Sequence, residues 1–197
     1  MNQNYCLREL TLDEMSAVYD TYMTADFPKN ELRPFSSVVQ LHGEGRYTGY
    51  GMYDQADQLQ AYVFLAMLRE DTRCHYLVDY LAVLPDRRDS GLGSVLLRLL
   101  PEALKNAGCI VGEVEDPDRT EDPREKHTRQ RRIAFSQRAG YLDTGVKVCL
   151  FGVDYRVMEI PSPAGHSPGE IRRVYEAIYR SFLPEHIFLE KVQLRIP

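Results

Sequence analysis

"LAVLPDRRDSGLGSVLLRLL", residues 81–100, changes character at its middle. An apolar run ends at Pro85, a charged turn follows, Gly91 and Gly93 flank Leu92, and an aliphatic stretch then begins. Strand, glycine-bearing turn and helix in that order present backbone N–H groups to an anion. The first N–H groups of a helix have no internal partners and carry its positive dipole end, so a phosphate placed there gains several hydrogen bonds. Glycine allows close approach, and Arg87 and Arg88 add full charges beside it. A Walker loop would need GxxxxGK[ST], which is absent, and a dinucleotide fingerprint would need glycine where the chain has Leu96.

Working outward, 197 residues of which 44% are hydrophobic suffice for a full core. A net charge of -5 argues against a general nucleic-acid or anionic-membrane binder. Cys6, Cys74, Cys109 and Cys149 lie far apart beside apolar runs and read as buried, reduced thiols of a cytosolic protein. The histidines are scattered without ligand spacing, so no metal site is expected. No stretch has the layout of a secretory signal or the length of a membrane helix, which gives a soluble, cytoplasmic protein with no membrane partner.

The coarse order of elements follows from capping and periodicity. Residues 4–10 read as a strand. Thr11 and Glu14 form a capping box for a helix bearing Leu12, Met15, Val18, Tyr19, Tyr22 and Met23 at helical spacing. A second helical stretch covers 30–41, interrupted by Pro34, and 42–71 reads as a hairpin turning near residues 54–57. A long strand spans 73–84, a helix 92–107 with Gly108 as its left-handed cap and Pro101 as a kink, and a strand 109–116. Asp122, Pro123 and Glu125 start a helix that runs to Arg138 and stops at Gly140, followed by one or two closing strands. After the linker at 161–170, Ser167, Pro168 and Glu170 cap a last helix with the stripe Ile171, Val174, Tyr175, Ile178, Tyr179, Phe182 and Leu183. Residues 1–160 thus form one domain, and 161–197 a linker and amphipathic helix that packs on that domain or on a partner subunit in a homodimer.

Arg88-Asp89-Ser90-Gly91-Leu92-Gly93 fits the (Q/R)xxGx(G/A) signature of the GCN5-related N-acetyltransferases. Leu81-Ala82-Val83-Leu84-Pro85 is similar to the strand end that precedes the signature in that family, and Phe135-Ser136-Gln137-Arg138-Ala139-Gly140-Tyr141 resembles its "FYxxxGF" pattern. The resemblance covers about residues 5–155. It implies an α/β fold with a mixed, mostly antiparallel sheet whose two parallel central strands, 73–84 and 109–116, splay apart, flanked by helices and followed here by a C-terminal helical extension. It further implies acetyl-CoA as co-substrate, its pantetheine arm on the backbone of Leu81, Ala82 and Val83 and its diphosphate wrapped by Arg88, Asp89, Ser90, Gly91, Leu92, Gly93 and Ser94.

The implied reaction moves an acetyl group to a primary amine of a small molecule or peptide by direct attack in a ternary complex. A Lys-type amine with a pKa of about 10.4 must first lose its proton, so a base is expected. Asp79, Glu113 and Glu115 are the candidates, and the two glutamates, two apart on one strand face, can raise each other's pKa. A solvated strand-end carboxylate or a salt bridge to the nearby arginines is the alternative for each. The resemblance places the oxyanion donor at a backbone N–H near Ala82 or Val83. The tyrosine that usually protonates the departing thiolate falls on Ser136, a far weaker acid. Tyr141 or Tyr80 could stand in, and both also read as core aromatics. Arg129, Arg131, Arg132 and Arg138 make one helix basic, either as a solvated face balanced by the acidic loop or as a contact for phosphates or an acidic acceptor.

Two other functions fit the same residues. An acyl-CoA-binding regulatory module with weak or no catalysis is motivated by Ser136. A nucleic-acid contact through the arginines is opposed by the overall charge. The acceptor would be set by residues 12–41, the loop at 116–123 and the carboxy-terminal arm, with Tyr19, Tyr22, Phe27 and Phe35 facing that side or the core.

Overall fold

A computed structural model describes residues 4–29, 31–160 and 165–195. Its eight strands form a mixed, mostly antiparallel sheet with one parallel pair, flanked by helices, which is the α/β class expected. The chain divides into two compact units. The first comprises residues up to Met67 with Val78–Lys105, and the second Leu68–Leu77 with the chain from Asn106 onward.

In the first unit, β1 (Tyr5–Glu9) pairs antiparallel with β2 (Tyr47–Asp54), and β2 with β3 (Leu59–Glu70). The polar turn between β2 and β3 falls where the sequence placed it. Thr11 accepts from the Glu14 N–H while Glu14 reaches back to the Thr11 N–H, so the capping box opens α1 (Leu12–Val18) as expected. The helix then widens into a π-helical turn over Tyr19–Met23 and ends as α2 (Thr24–Asp26). α3 (Phe35–Gly43) buries Val38 and Leu41, and β4 (Arg73–Val83) leads through a 3-10 turn, Pro85–Arg87, towards α4 (Leu92–Ala103).

The second unit holds β5 (Ala107–Glu115), α5 (Pro123–Arg138), β6 (Leu142–Leu150) and β7 (Val153–Ile160). β7 lies antiparallel between β5 and β6. A 3-10 turn, Pro117–Arg119, follows β5 with the same tripeptide, Pro-Asp-Arg, that follows β4. α6 (Pro168–Phe182) starts at Ser167 in the expected capping box and buries Ile171, Val174, Tyr175, Ile178 and Tyr179 within the single chain. α7 (Glu185–Lys191) and β8 (Val192–Arg195) then close the chain, β8 pairing antiparallel with β6.

Several expectations are corrected. The second helix begins only at Phe35, because Pro34, which has no N–H to donate, stands at its N-cap; Asn30 lies outside the described residues, as do 161–164 of the linker. The helix from Leu92 ends at Ala103, soon after Pro101, and Gly108 is not its cap. Gly108 belongs to β5, where a Cβ would stand 2.7 Å from His75 Nδ1, so the residue is glycine to admit that ring. Asp122 caps α5 through the Arg124 N–H, but Glu125 accepts from Thr120 Oγ1 at 2.7 Å, leaving the second capping box half made. Only Cys109 of the four cysteines is buried: Cys6 is exposed and Cys74 and Cys149 are half-buried. Cys109 Sγ lies 3.3 Å from His75 Nδ1, and burial pushes its thiol up to about 12.

One buried carboxylate ties the strands of the second unit together. Asp116, 1% exposed, accepts from Lys147 Nζ and Arg156 Nε, each at 2.9 Å, and Arg156 also reaches Asp118 and Asp143. Burial alone would raise the Asp116 pKa, but these hydrogen bonds and the Asp118 N–H outweigh it and hold the group down to about 2. A folded pKa below the unfolded value of about 3.9 contributes stability above pH 4 that is lost as pH falls towards 2. Asp116→Asn should therefore destabilise by about 3 kcal/mol in urea unfolding at pH 7, a difference that shrinks in the same measurement at pH 3.

Candidate functional site

The turn between β4 and α4 is built around two left-handed residues. Asp89 has φ 59° and Gly91 φ 81°, and a Cβ added at Gly91 would meet nothing within 4 Å. Gly91 is the N-cap of α4, and no side chain caps the helix. The Ser94 and Val95 N–H groups return to the Gly91 carbonyl, at 3.1 and 3.3 Å, so Ser94 spends its amide inside the helix. The N–H groups of Leu92 and Gly93, which no intrahelical carbonyl reaches, are left for an outside acceptor. Open space, a left-handed glycine and an uncapped twelve-residue helix fit a diphosphate, with Gly91, Leu92 and Gly93 as the residues that would hold it.

Arg88 has another commitment. Its Nη2 donates to Asp26 Oδ1 and its Nε to the Val83 carbonyl at 3.3 Å. The Asp26 side chain is only 5% exposed and also accepts from Tyr62 Oη at 2.8 Å. Burial, reinforced by the hydrogen bond to Asp26, pushes the Tyr62 phenol well above its ordinary pKa and keeps it a donor. Pulling Arg88 away would strand a buried carboxylate, so the arginine fixes the entry to the turn while half of its side chain stays exposed. Leu81, Ala82 and Val83 lie half-buried at the end of β4, with the Val83 carbonyl already accepting from Arg88.

Asp79 also belongs to the first unit. It accepts from Tyr47 Oη at 2.5 Å and pairs with Arg33 Nε at 3.2 Å. Tyr80 Oη takes the Arg33 N–H and donates to the Glu31 carbonyl, both at 2.8 Å, while Tyr19 Oη donates to the Arg33 carbonyl. These tyrosines pin the chain before α3. Phe27 meets the Tyr80 ring edge-on at 4.9 Å, and Tyr19 packs on Phe35 at 5.1 Å.

In the second unit Glu113 and Glu115 take different partners. Glu115 pairs with Arg132 and, at 3.6 Å, with Arg129, which also donates to the Asp116 carbonyl. Two of the four arginines singled out in α5 are thus consumed by the end of β5, while Arg131 and Arg138 remain exposed. Glu113 Oε1 accepts from Tyr175 Oη and, at 2.6 Å, from Tyr179 Oη. Burial and then the negative charge of Glu113 raise the Tyr175 pKa, so its phenol stays protonated. Ser136 is 8% exposed and donates to the Arg132 carbonyl at 3.2 Å, one helical turn back. The Tyr141 hydroxyl is buried without a partner among the described residues, and burial lifts its pKa far above the ordinary value.

Asp26 and Tyr62 are not legible in the sequence, since nothing local marks a carboxylate that meets its partner 62 residues away. Tyr175 and Tyr179 read in the sequence only as part of an apolar stripe. Their i, i+4 spacing on a buried face was the available signal, because buried phenols need acceptors.

The Acetyltransferase (GNAT) family model matches residues 4–121, and the chain belongs to that family: it is an acyltransferase whose co-substrate is acetyl-CoA. A GNAT-family acetyltransferase from Bacteroides thetaiotaomicron has the same fold, with TM-score 0.64 and 21% identity over 89% of this chain and 94% of that one. The spermidine N-acetyltransferase from Vibrio cholerae, solved with CoA and spermine, gives TM-score 0.58 and 15% identity over 81% of this chain and 96% of that one. A dodecameric structure of the Vibrio cholerae enzyme gives 0.57 and 15% over 81% and 94%. No curated protein matches the sequence. Among the described residues no helix is long and apolar enough to cross a membrane.

Asp26→Asn removes the counter-charge that holds Arg88. CoA affinity measured by calorimetry should fall about tenfold, and adding Asp26→Asn to Arg88→Ala should weaken binding no further.

Proposed function

We propose that the protein transfers the acetyl group of acetyl-CoA to a primary amine by direct attack in a ternary complex. The observation that carries this reading is the uncapped N-terminus of α4 behind a left-handed Gly91, in a chain of the acetyltransferase family. Acetyl-CoA supplies an acetyl group activated as a thioester. Leu92 and Gly93 would hold its diphosphate through their backbone N–H groups, and Arg88, anchored on Asp26, would keep the turn in shape.

Of the three candidate carboxylates, Glu113 is the proton acceptor in this reading, because two phenols of α6 converge on it and orient it. Asp79 pairs with Arg33 and Glu115 with Arg132, and an arginine stabilises the charged carboxylate and makes it a weaker base. Glu113 accepts from the phenol hydroxyls of Tyr175 and Tyr179, which orient its carboxylate. Ser136, donating to its own helix, gives no support to the role of thiolate acid; a thiol with a pKa of about 8.5 leaves near neutral pH with little help. The acceptor class is a primary amine, for which the polyamines bound by the Vibrio cholerae relative are the first compounds to try.

Thiol release from acetyl-CoA tests this with spermidine, spermine, tyramine and a lysine peptide. At least one amine should raise turnover above hydrolysis, and Glu113→Gln should lower kcat for it about 100-fold, with Glu115→Gln falling well short of that. CoA uptake in calorimetry without turnover of any amine would instead favour the regulatory module that Ser136 suggests.

A further inference from the structure

The two tyrosines on Glu113 come from α6, which lies outside the residues that the family model matches. Their placement has the marks of a built support. Tyr175 is fully buried and Tyr179 is 5% exposed, with ring centroids 4.8 Å apart, and Phe182 backs Tyr179 at 5.0 Å. Both hydroxyls converge on one oxygen, Glu113 Oε1.

The helix that carries them is itself anchored. The Ser167 box caps its start, Arg173 pairs with Glu70 at 2.8 Å, and His166 bonds the buried Glu159 at 2.5 Å. Two aromatic side chains with few rotatable bonds, locked by packing on a tethered helix, can hold a carboxylate within a few tenths of an ångström. Apolar residues would serve equally well if packing were all that the stripe had to do. Burying two phenols on a carboxylate instead commits three polar groups to one geometry.

We propose that Tyr175 and Tyr179 are positioning residues for acyl transfer, fixing the Glu113 carboxylate for proton acceptance, so that the C-terminal helix completes the catalytic apparatus. This rests on the assignment of Glu113 as the base. The phenols touch neither substrate nor reacting atoms, and they act through Glu113.

The test uses the full chain labelled with carboxyl-13C glutamate, the Glu113 resonance being the one that Glu113→Gln removes. Tyr175→Phe and Tyr179→Phe each delete one oxygen and keep the ring, so the fold is preserved. Each should move the Glu113 resonance from its wild-type position. Each should also lower kcat about tenfold for an amine found in the panel, leaving KM for acetyl-CoA within about twofold. Ile178→Val, on the same buried face but without a hydroxyl, should do neither. If the resonance stays in place in both phenylalanine variants, or Ile178→Val moves it equally, the positioning role is overturned while a loss of activity in Glu113→Gln still upholds the base. If Glu113→Gln keeps the wild-type kcat, the base assignment falls and the positioning role falls with it.

Discussion

A carboxylate withdrawn from water must be given donors, and much of this molecule is arranged to supply them. Asp26 receives Arg88 and Tyr62, Asp79 receives Arg33 and Tyr47, Glu113 receives Tyr175 and Tyr179, and Asp116 receives Lys147 and Arg156. Each set joins segments distant in sequence, so the carboxylates fix tertiary positions that apolar packing alone would leave less specific. The donor chosen differs with the job. Guanidinium and ammonium groups stand where the carboxylate is a strut, and at Glu113 the donors from α6 are phenols.

The start of α4 obeys the opposite rule, because no intrahelical carbonyl takes the Leu92 and Gly93 N–H groups. Gly91 can occupy φ 81° without the steric penalty a side chain would meet, and no hydroxyl or carboxylate caps α4. A helix start that lacks a cap loses some stability by itself. The loss is consistent with a site that keeps its donors for a ligand, and the Arg88–Asp26 pair holds the turn ready beforehand.

The parts of the fold written in local chemistry were legible in the sequence. The Thr11 and Ser167 capping boxes, the β2–β3 hairpin, the Gly140 stop and the order of strands and helices around residues 81–138 all follow from short-range rules. Marginal elements were not legible: α7 and β8 are seven and four residues long, too short for periodicity to register. Gly108 was misassigned because a helix cap and a glycine that admits a histidine ring look alike in sequence. At the candidate site the turn was legible from its glycines, whereas the partners of Asp79, Glu113 and Glu115 depend on pairings across 17 to 66 residues that no local pattern encodes.

The π-helical turn at Tyr19–Met23 has a consequence for how this helix tolerates length changes. Such a turn accommodates one residue more than an α-helix of the same rise, and so it takes up the extra residue while the segment after it keeps nearly the same phase. Removing a single residue there would rewind the segment to regular α geometry and leave its end close to its present phase, whereas adding one more would rotate that end by about 100°. A deletion would therefore leave Asp26 at the azimuth where it meets Tyr62 and Arg88, and an insertion several residues upstream would be felt at the turn before α4.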